Sequence, residues 1–157
     1  MRVADFALRR VAIWGLGREG RAAIDLIRKI HPELPLMLFD DRAGGRPPDA
    51  LGAQIQFAFG AEQIARAIAD VDIIVKSPGV SLYRPEIRSA RQKGICITSL
   101  LNLWFAEQHD LATICVTGTK GKSTTASLIA HILSKLGRRT ALVGNVGIPI
   151  KIGRAHV

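Results

Sequence analysis

Aromatic residues are scarce in this chain: five phenylalanines, two tryptophans and one tyrosine, 5% of the sequence. That argues against a stacking platform for single-stranded nucleic acid, which needs successive exposed rings. Cysteine is scarcer still. Cys96 and Cys115 lie in the apolar runs Ile95-Cys96-Ile97 and Ile114-Cys115-Val116, so the expectation is buried free thiols in a reducing compartment. No apolar run is long enough to cross a bilayer, and Met1 to Phe6 lacks the apolar stretch of a secretory signal. A cytoplasmic protein with no membrane partner is expected. Acidic residues are outnumbered, 13 against 22 lysines and arginines, giving a formal net charge of +9. The basic residues do not cluster, however. Arg9, Arg10, Arg28, Arg84, Arg88, Lys135 and Arg138, among others, are scattered over separate elements. They read as solvated helix surface, with a minority serving phosphates, and no nucleic-acid partner is expected.

What is present is an alternation of short apolar runs with amphipathic stretches over 157 residues that are 48% hydrophobic. This is the pattern of a parallel α/β sheet. Strands are predicted at Val11–Trp14, Leu36–Phe39, Asp72–Val75 and Ile95–Ile97. Helices are predicted over 18–30, around 64–69, from Pro85 to Lys93 and over 100–107. Gly44, Gly45, Pro47 and Pro48 suggest a loop. Gln108-His109-Asp110 reads as a linker, after which the pattern restarts: a strand at Ala112–Val116, a helix from Lys122 to Leu136, a strand at Thr140–Val143. The expected division is a Rossmann-like domain over 1–110 and the start of a phosphate-loop ATPase domain over 111–151. The second unit has too few elements to cover both faces of a sheet, so a truncated domain is expected. The tail 152–157 resembles one reading frame of a sequencing-library adapter and is expected to be non-native.

The strongest motif is Gly118-Thr119-Lys120-Gly121-Lys122-Ser123-Thr124, placed between a strand and a helix. Glycines let backbone N–H groups approach a phosphate, and the helix N-terminus adds its positive end. Lys122 is expected on the outer phosphates and Ser123 on Mg²⁺. Two residues separate Gly118 from Gly121-Lys122, where the common loop has about four, so this is a short form. The bland alternative is a glycine turn capping a helix.

The turn Gly15-Leu16-Gly17-Arg18-Glu19-Gly20 is a second candidate, and Asp40 lies 20 residues beyond Gly20. That spacing suits an acidic group on a ribose hydroxyl, though ordinary tight turns share it. Asp40-Asp41-Arg42 ends its strand where open sheets bind ligands; taken alone, the triplet reads equally as a solvated charged turn. Ser77-Pro78-Gly79 offers a hydroxyl and N–H groups to a pyrophosphate, or is a proline turn. Gly144-Asn145-Val146-Gly147 follows the last strand, with Asn145 able to reach a phosphate or carboxylate. His31, His109, His131 and His156 share no ligand spacing.

Val116-Thr117-Gly118-Thr119-Lys120-Gly121-Lys122-Ser123-Thr124, Gly144-Asn145-Val146-Gly147-Ile148-Pro149 and Ser77-Pro78-Gly79-Val80 together resemble the Mur ligase family of peptidoglycan synthesis. The resemblance runs to Ile150 and points to the branch that adds glutamate to UDP-N-acetylmuramoyl-L-alanine. It implies a UDP-sugar domain, a central ATPase domain and a third domain for the amino acid. It implies a reaction through an acyl phosphate, with ATP and Mg²⁺, UDP-N-acetylmuramoyl-L-alanine and glutamate, in a monomer. Carried over, residues Gly118, Thr119, Lys120, Gly121, Lys122, Ser123 and Thr124 bind ATP, with Lys122 and Asn145 at the reacting centre. Gly15, Leu16, Gly17, Arg18, Asp40, Asp41, Arg42, Ser77 and Gly79 line the sugar-nucleotide pocket. The stretches 14–20 and 76–84 look more like the variant that adds L-glutamate. The family's metal-binding glutamate, modified lysine and histidine are implied beyond Val157, so the chain alone is expected to be inactive. Other readings remain: another Mur ligase, a folylpolyglutamate synthetase-like ligase, an NAD(P)-dependent oxidoreductase, or a non-enzymatic nucleotide sensor.

Overall fold

The computed structural model describes residues 1–42, 54–108 and 112–143. Five parallel strands form one sheet: β1 (Val11–Trp14), β2 (Leu36–Asp40), β3 (Ile55–Phe59), β4 (Ile73–Lys76) and β5 (Cys96–Thr98), in the order β3-β2-β1-β4-β5. The helices are α1 (Arg18–Ile30), α2 (Gly60–Ala67), α3 (Pro85–Gln92), α4 (Leu100–Glu107) and α5 (Lys122–Lys135).

Every residue of β1 is buried, because both faces of the sheet are covered. Val11 and Ile13 face one core with Ala23, Ile24 and Ile27 of α1, Leu100 and Leu103 of α4, and the N-terminal Val3 and Phe6. Ala12 and Trp14 face the other with Ile64 of α2 and Ile87 and Ala90 of α3. The strand order reverses between β1 and β4. In such sheets the crevice at the carboxyl ends of those two strands is where ligands bind.

The α/β class and the parallel sheet are as the sequence predicts, with three corrections. β3 was not anticipated: it is an edge strand whose Gln56 is exposed, so its apolar signal is weak. Its Phe57 and Phe59 stack with centroids 5.8 Å apart on the side facing α1's core. Among the described residues no ladder forms at the expected strands Ala112–Val116 and Thr140–Val143, where Val143 is a bridge residue. An apolar run becomes a strand only by pairing, and Ala112 to Cys115 are exposed. The thiols are free, as expected, but both are exposed. Cys96 lies on an edge strand, with its Sγ 3.9 Å from Met1 Sδ. The expected glycine- and proline-rich loop, the linker's His109 and Asp110, the Asn145 motif and the tail 152–157 lie outside the described residues.

Candidate functional site

The turn after β1 is fixed from three sides. Gly15 takes φ +96° and donates its N–H to Phe39 O on β2 at 2.8 Å. Ser77, just past β4, donates its N–H to Trp14 O at 2.8 Å and its Oγ–H to Gly15 O at 3.0 Å. A Cβ on Gly15 would sit 2.9 Å from Ser77 Cβ and Oγ, so the glycine permits this close approach. Gly20, in the first turn of α1, is packed harder: an added Cβ would lie 1.9 Å from Gly15 O. Gly17 is the opposite case, with nothing within 4 Å. It is the N-cap of α1 and supplies no side-chain cap. The helix therefore presents backbone N–H groups without intrahelical partners beside an unobstructed Cα, a suitable place for a phosphate.

The carboxylate of Asp40, 7% exposed, closes the turn after β2. Oδ2 accepts from Leu16 N–H at 3.3 Å and Arg42 NH2 at 3.3 Å; Oδ1 accepts from Arg42 N–H at 3.1 Å and Arg42 Nε at 2.9 Å. Hydrogen bonding from the Arg42 guanidinium is the main cause holding this carboxyl below its usual range, with backbone N–H groups of Arg42 and Leu16 adding to it against burial. A carboxylate has about four acceptor directions, and all are in use. A ribose hydroxyl at Asp40 would have to replace a bond from Arg42, whose side chain is 79% exposed. Ser77 likewise commits both its N–H and its hydroxyl proton within the protein, so here it braces the glycine turn. Gly79, with nothing within 4 Å of its added Cβ, leaves the neighbouring turn open. Leu16 is buried and Arg18 exposed.

Asp41 is tied into a cluster that linear reading missed. Trp14 Nε1 donates to Asp41 Oδ1 at 3.2 Å, and Arg84 NH1 donates to Asp41 Oδ2 at 2.7 Å. The Arg84 guanidinium lies 4.8 Å from the Trp14 ring centroid and also bonds Glu86. Hydrogen bonds from Arg84 hold the Glu86 carboxyl below its ordinary range. Arg84 was expected on the solvated surface; its side chain is only 25% exposed. Its partners are distant in sequence, so no local pattern signals them.

The second turn precedes α5. Gly118 (φ +149°) and Gly121 (φ +75°) take backbone conformations that favour glycine, and Gly121 is the N-cap with no side-chain cap. Lys122 Nζ curls back to donate to Gly118 O and, at 3.3 Å, to Thr119 O, which sets the ammonium over the loop. Thr119, Lys120, Ser123 and Thr124 are all exposed. This arrangement fits a polyphosphate. Toward Mg²⁺ its exposed groups are hydroxyls, that of Ser123 in the first turn of α5 among them; among the described residues no three His, Cys, Asp or Glu side chains come together to complete a metal site.

A family model described as Mur ligase MurD-like, N-terminal domain, matches residues 9–99, more than half of the chain. The chain belongs to the Mur ligase family. A second model, Mur ligase middle domain, matches residues 116–155 and so includes the short phosphate loop. Curated relatives named UDP-N-acetylmuramoyl-L-alanine--L-glutamate ligase are similar along most of the chain. One from Xanthomonas euvesicatoria pv. vesicatoria (strain 85-10) is 45% identical over 156 residues, covering 96% of this chain and 33% of the relative. One from Xylella fastidiosa (strain Temecula1 / ATCC 700964) is 40% identical with the same coverage, and one from Micromonospora sp. (strain ATCC 39149 / NRRL 15099 / SCC 1413) is also 40% identical. The chain thus spans about a third of the length of the curated relatives it matches. No helix among the described residues is long and apolar enough to cross a membrane.

Proposed function

We propose that this chain is part of an ATP-dependent ligase that adds glutamate, in its L form, to UDP-N-acetylmuramoyl-L-alanine in the cytoplasm. One observation carries the reading: a Mur-type chain holds two separate phosphate-suited glycine turns, at Gly15–Gly20 and Gly118–Lys122. Two such turns suit a reaction that joins two nucleotides' chemistries, one as handle and one as energy source. An oxidoreductase built on the first turn leaves the second without a purpose.

In this reading the crevice between β1 and β4 takes the UDP moiety. Gly17 and the α1 N-terminus meet the diphosphate, while Asp41 and Arg42 meet the nucleoside side and Asp40 holds Arg42 and the Leu16 N–H in place, with Leu16, Arg18, Ser77 and Gly79 shaping the pocket. The loop Gly118 to Thr124 takes ATP. Lys122 neutralises charge on the phosphoryl group as it moves to the alanine carboxylate, which is the kind of electrostatic help that phosphoryl transfer needs most. The glutamate amine then attacks the acyl carbon, the amide bond forms, and phosphate leaves. Mg²⁺ would shield the phosphates with Ser123 among its ligands, and Asn145 would assist at the reacting centre. The L form is supported by the names of the relatives. The test is phosphate release by the complete ligase with UDP-N-acetylmuramoyl-L-alanine, ATP and either glutamate enantiomer. Release with L-glutamate alone is expected; release indifferent to glutamate would refute the assignment.

A further inference from the structure

We propose that Arg84 is a positioning residue for the nucleotide crevice, acting through Asp41, which it pins against Trp14. The inference rests on the reading that this crevice takes the UDP moiety. Trp14 is fully buried, so its indole N–H needs an internal acceptor, and Asp41 Oδ1 supplies it at 3.2 Å. Arg84 closes the other oxygen of Asp41 at 2.7 Å while its face lies over the same indole at 4.8 Å. Its remaining donors reach Glu86, in the first turn of α3, at 3.2 and 3.4 Å. One guanidinium therefore ties the end of β1, the turn after β2 and the start of α3 together at the carboxyl edge of the sheet.

The chemistry favours arginine. A planar fork can stack on a ring and bond two carboxylates at once, which an ammonium cannot. Each Asp41 oxygen keeps an acceptor direction after these bonds, and the Asp41 side chain is 48% exposed. Asp40 has no such direction left. Asp41 is thus the carboxylate free to accept a donor from the nucleoside, and Arg84 sets where it points. Arg84 also cancels carboxylate charge that would otherwise repel an anionic diphosphate.

The test is a double-variant cycle on UDP binding by this chain, read by calorimetry, with thermal midpoints recorded in parallel. Arg84→Met and Asp41→Asn are each expected to weaken UDP by about tenfold, as loss of a charge-assisted hydrogen bond implies. The double variant should be no weaker than the worse single, because the two residues act as one. A roughly hundredfold loss in the double would overturn the proposal, since multiplied losses mean independent action. Wild-type binding with Arg84→Met unchanged would overturn it too, leaving the nucleotide reading intact. No UDP binding by the wild type would remove both. If Arg84→Met fails to fold, Arg84→Lys replaces it in the cycle; its expected loss is smaller, and the same rule on the double applies.

Discussion

Gly20→Ala is the sharpest perturbation of the first glycine turn. The new methyl would meet Gly15 O at 1.9 Å and Gly15 C at 3.0 Å. Neither atom can step aside cheaply, because Gly15 is held by its N–H to Phe39 and by Ser77 Oγ on its own oxygen. Helix α1 must instead move outward by about 1 Å or more, lifting Ala23, Ile24 and Ile27 from the core they share with β1. Overpacking of this kind costs roughly 1–3 kcal/mol. Alanine's better helix propensity returns about 1 kcal/mol, so the net loss lies at roughly 0–2 kcal/mol, toward the upper end because the 1.9 Å contact is with a held backbone oxygen. For a domain of about a hundred residues, each kcal/mol lowers Tm by about 4–8 °C.

Gly17→Ala is the matched control. Gly17 has φ −72° and open space around its added Cβ, so alanine fits the fold without strain. Its methyl would occupy the space assigned to the diphosphate. Urea unfolding and UDP titration together separate the two effects. Gly20→Ala should shift the unfolding midpoint, whereas Gly17→Ala should keep it and weaken UDP. The reasoning fails if Gly20→Ala unfolds at the wild-type midpoint, for then contact with Gly15 does not set where α1 sits.

Other consequences are open to direct measurement. Asp72 is bonded by the Arg10 guanidinium and backbone N–H, which pushes its carboxyl down from 3.8 to about 2. A carboxyl depressed in the folded state stabilises above its unfolded value and loses that contribution as pH falls through the folded one. Asp72→Asn should therefore be less stable than wild type at pH 7, and the gap in urea midpoints should close between about pH 4 and pH 2; a gap constant across that range contradicts the pairing. Lys122→Ala should weaken binding of a non-hydrolysable ATP analogue by at least about tenfold, with the unfolding of residues 1–108 unchanged, because Lys122 bonds only to Gly118 and Thr119. NADH should not bind the first turn in a fluorescence titration; micromolar binding would favour the oxidoreductase reading.

Elements with local punctuation were legible in the sequence. Gly15 and Gly17 bound β1 and α1, and Pro85 opens α3. Elements defined by distant partners were not. Gln56 on the edge strand β3 dilutes its apolar pattern, and the runs 112–116 and 140–143 carry strand-like residues without a ladder among the described residues. The same limit applies to the site. The glycines announce themselves because a turn needs them locally. Arg84 looks like any surface cation until the fold brings it onto Trp14, beside an aspartate 43 residues away.

The two glycine turns differ in what supports them, and that difference governs how each can bind. The first is built into the sheet: Phe39, Asp40 and Ser77 all bond it, and Gly20 seats α1 directly against it. Such a frame is ordered before a ligand arrives, so little binding energy goes into ordering it. The second turn leads into α5, which has no buried residue and leaves Leu128, Ile132 and Leu136 exposed by 57%, 49% and 70%. A helix of 14 residues with no fully buried side chain among the described residues is marginal in water. UDP affinity should therefore depend on the sheet and be indifferent to changes in α5. ATP affinity should rise with whatever covers those three side chains, because the loop can hold phosphate only while the helix behind it holds its first turn.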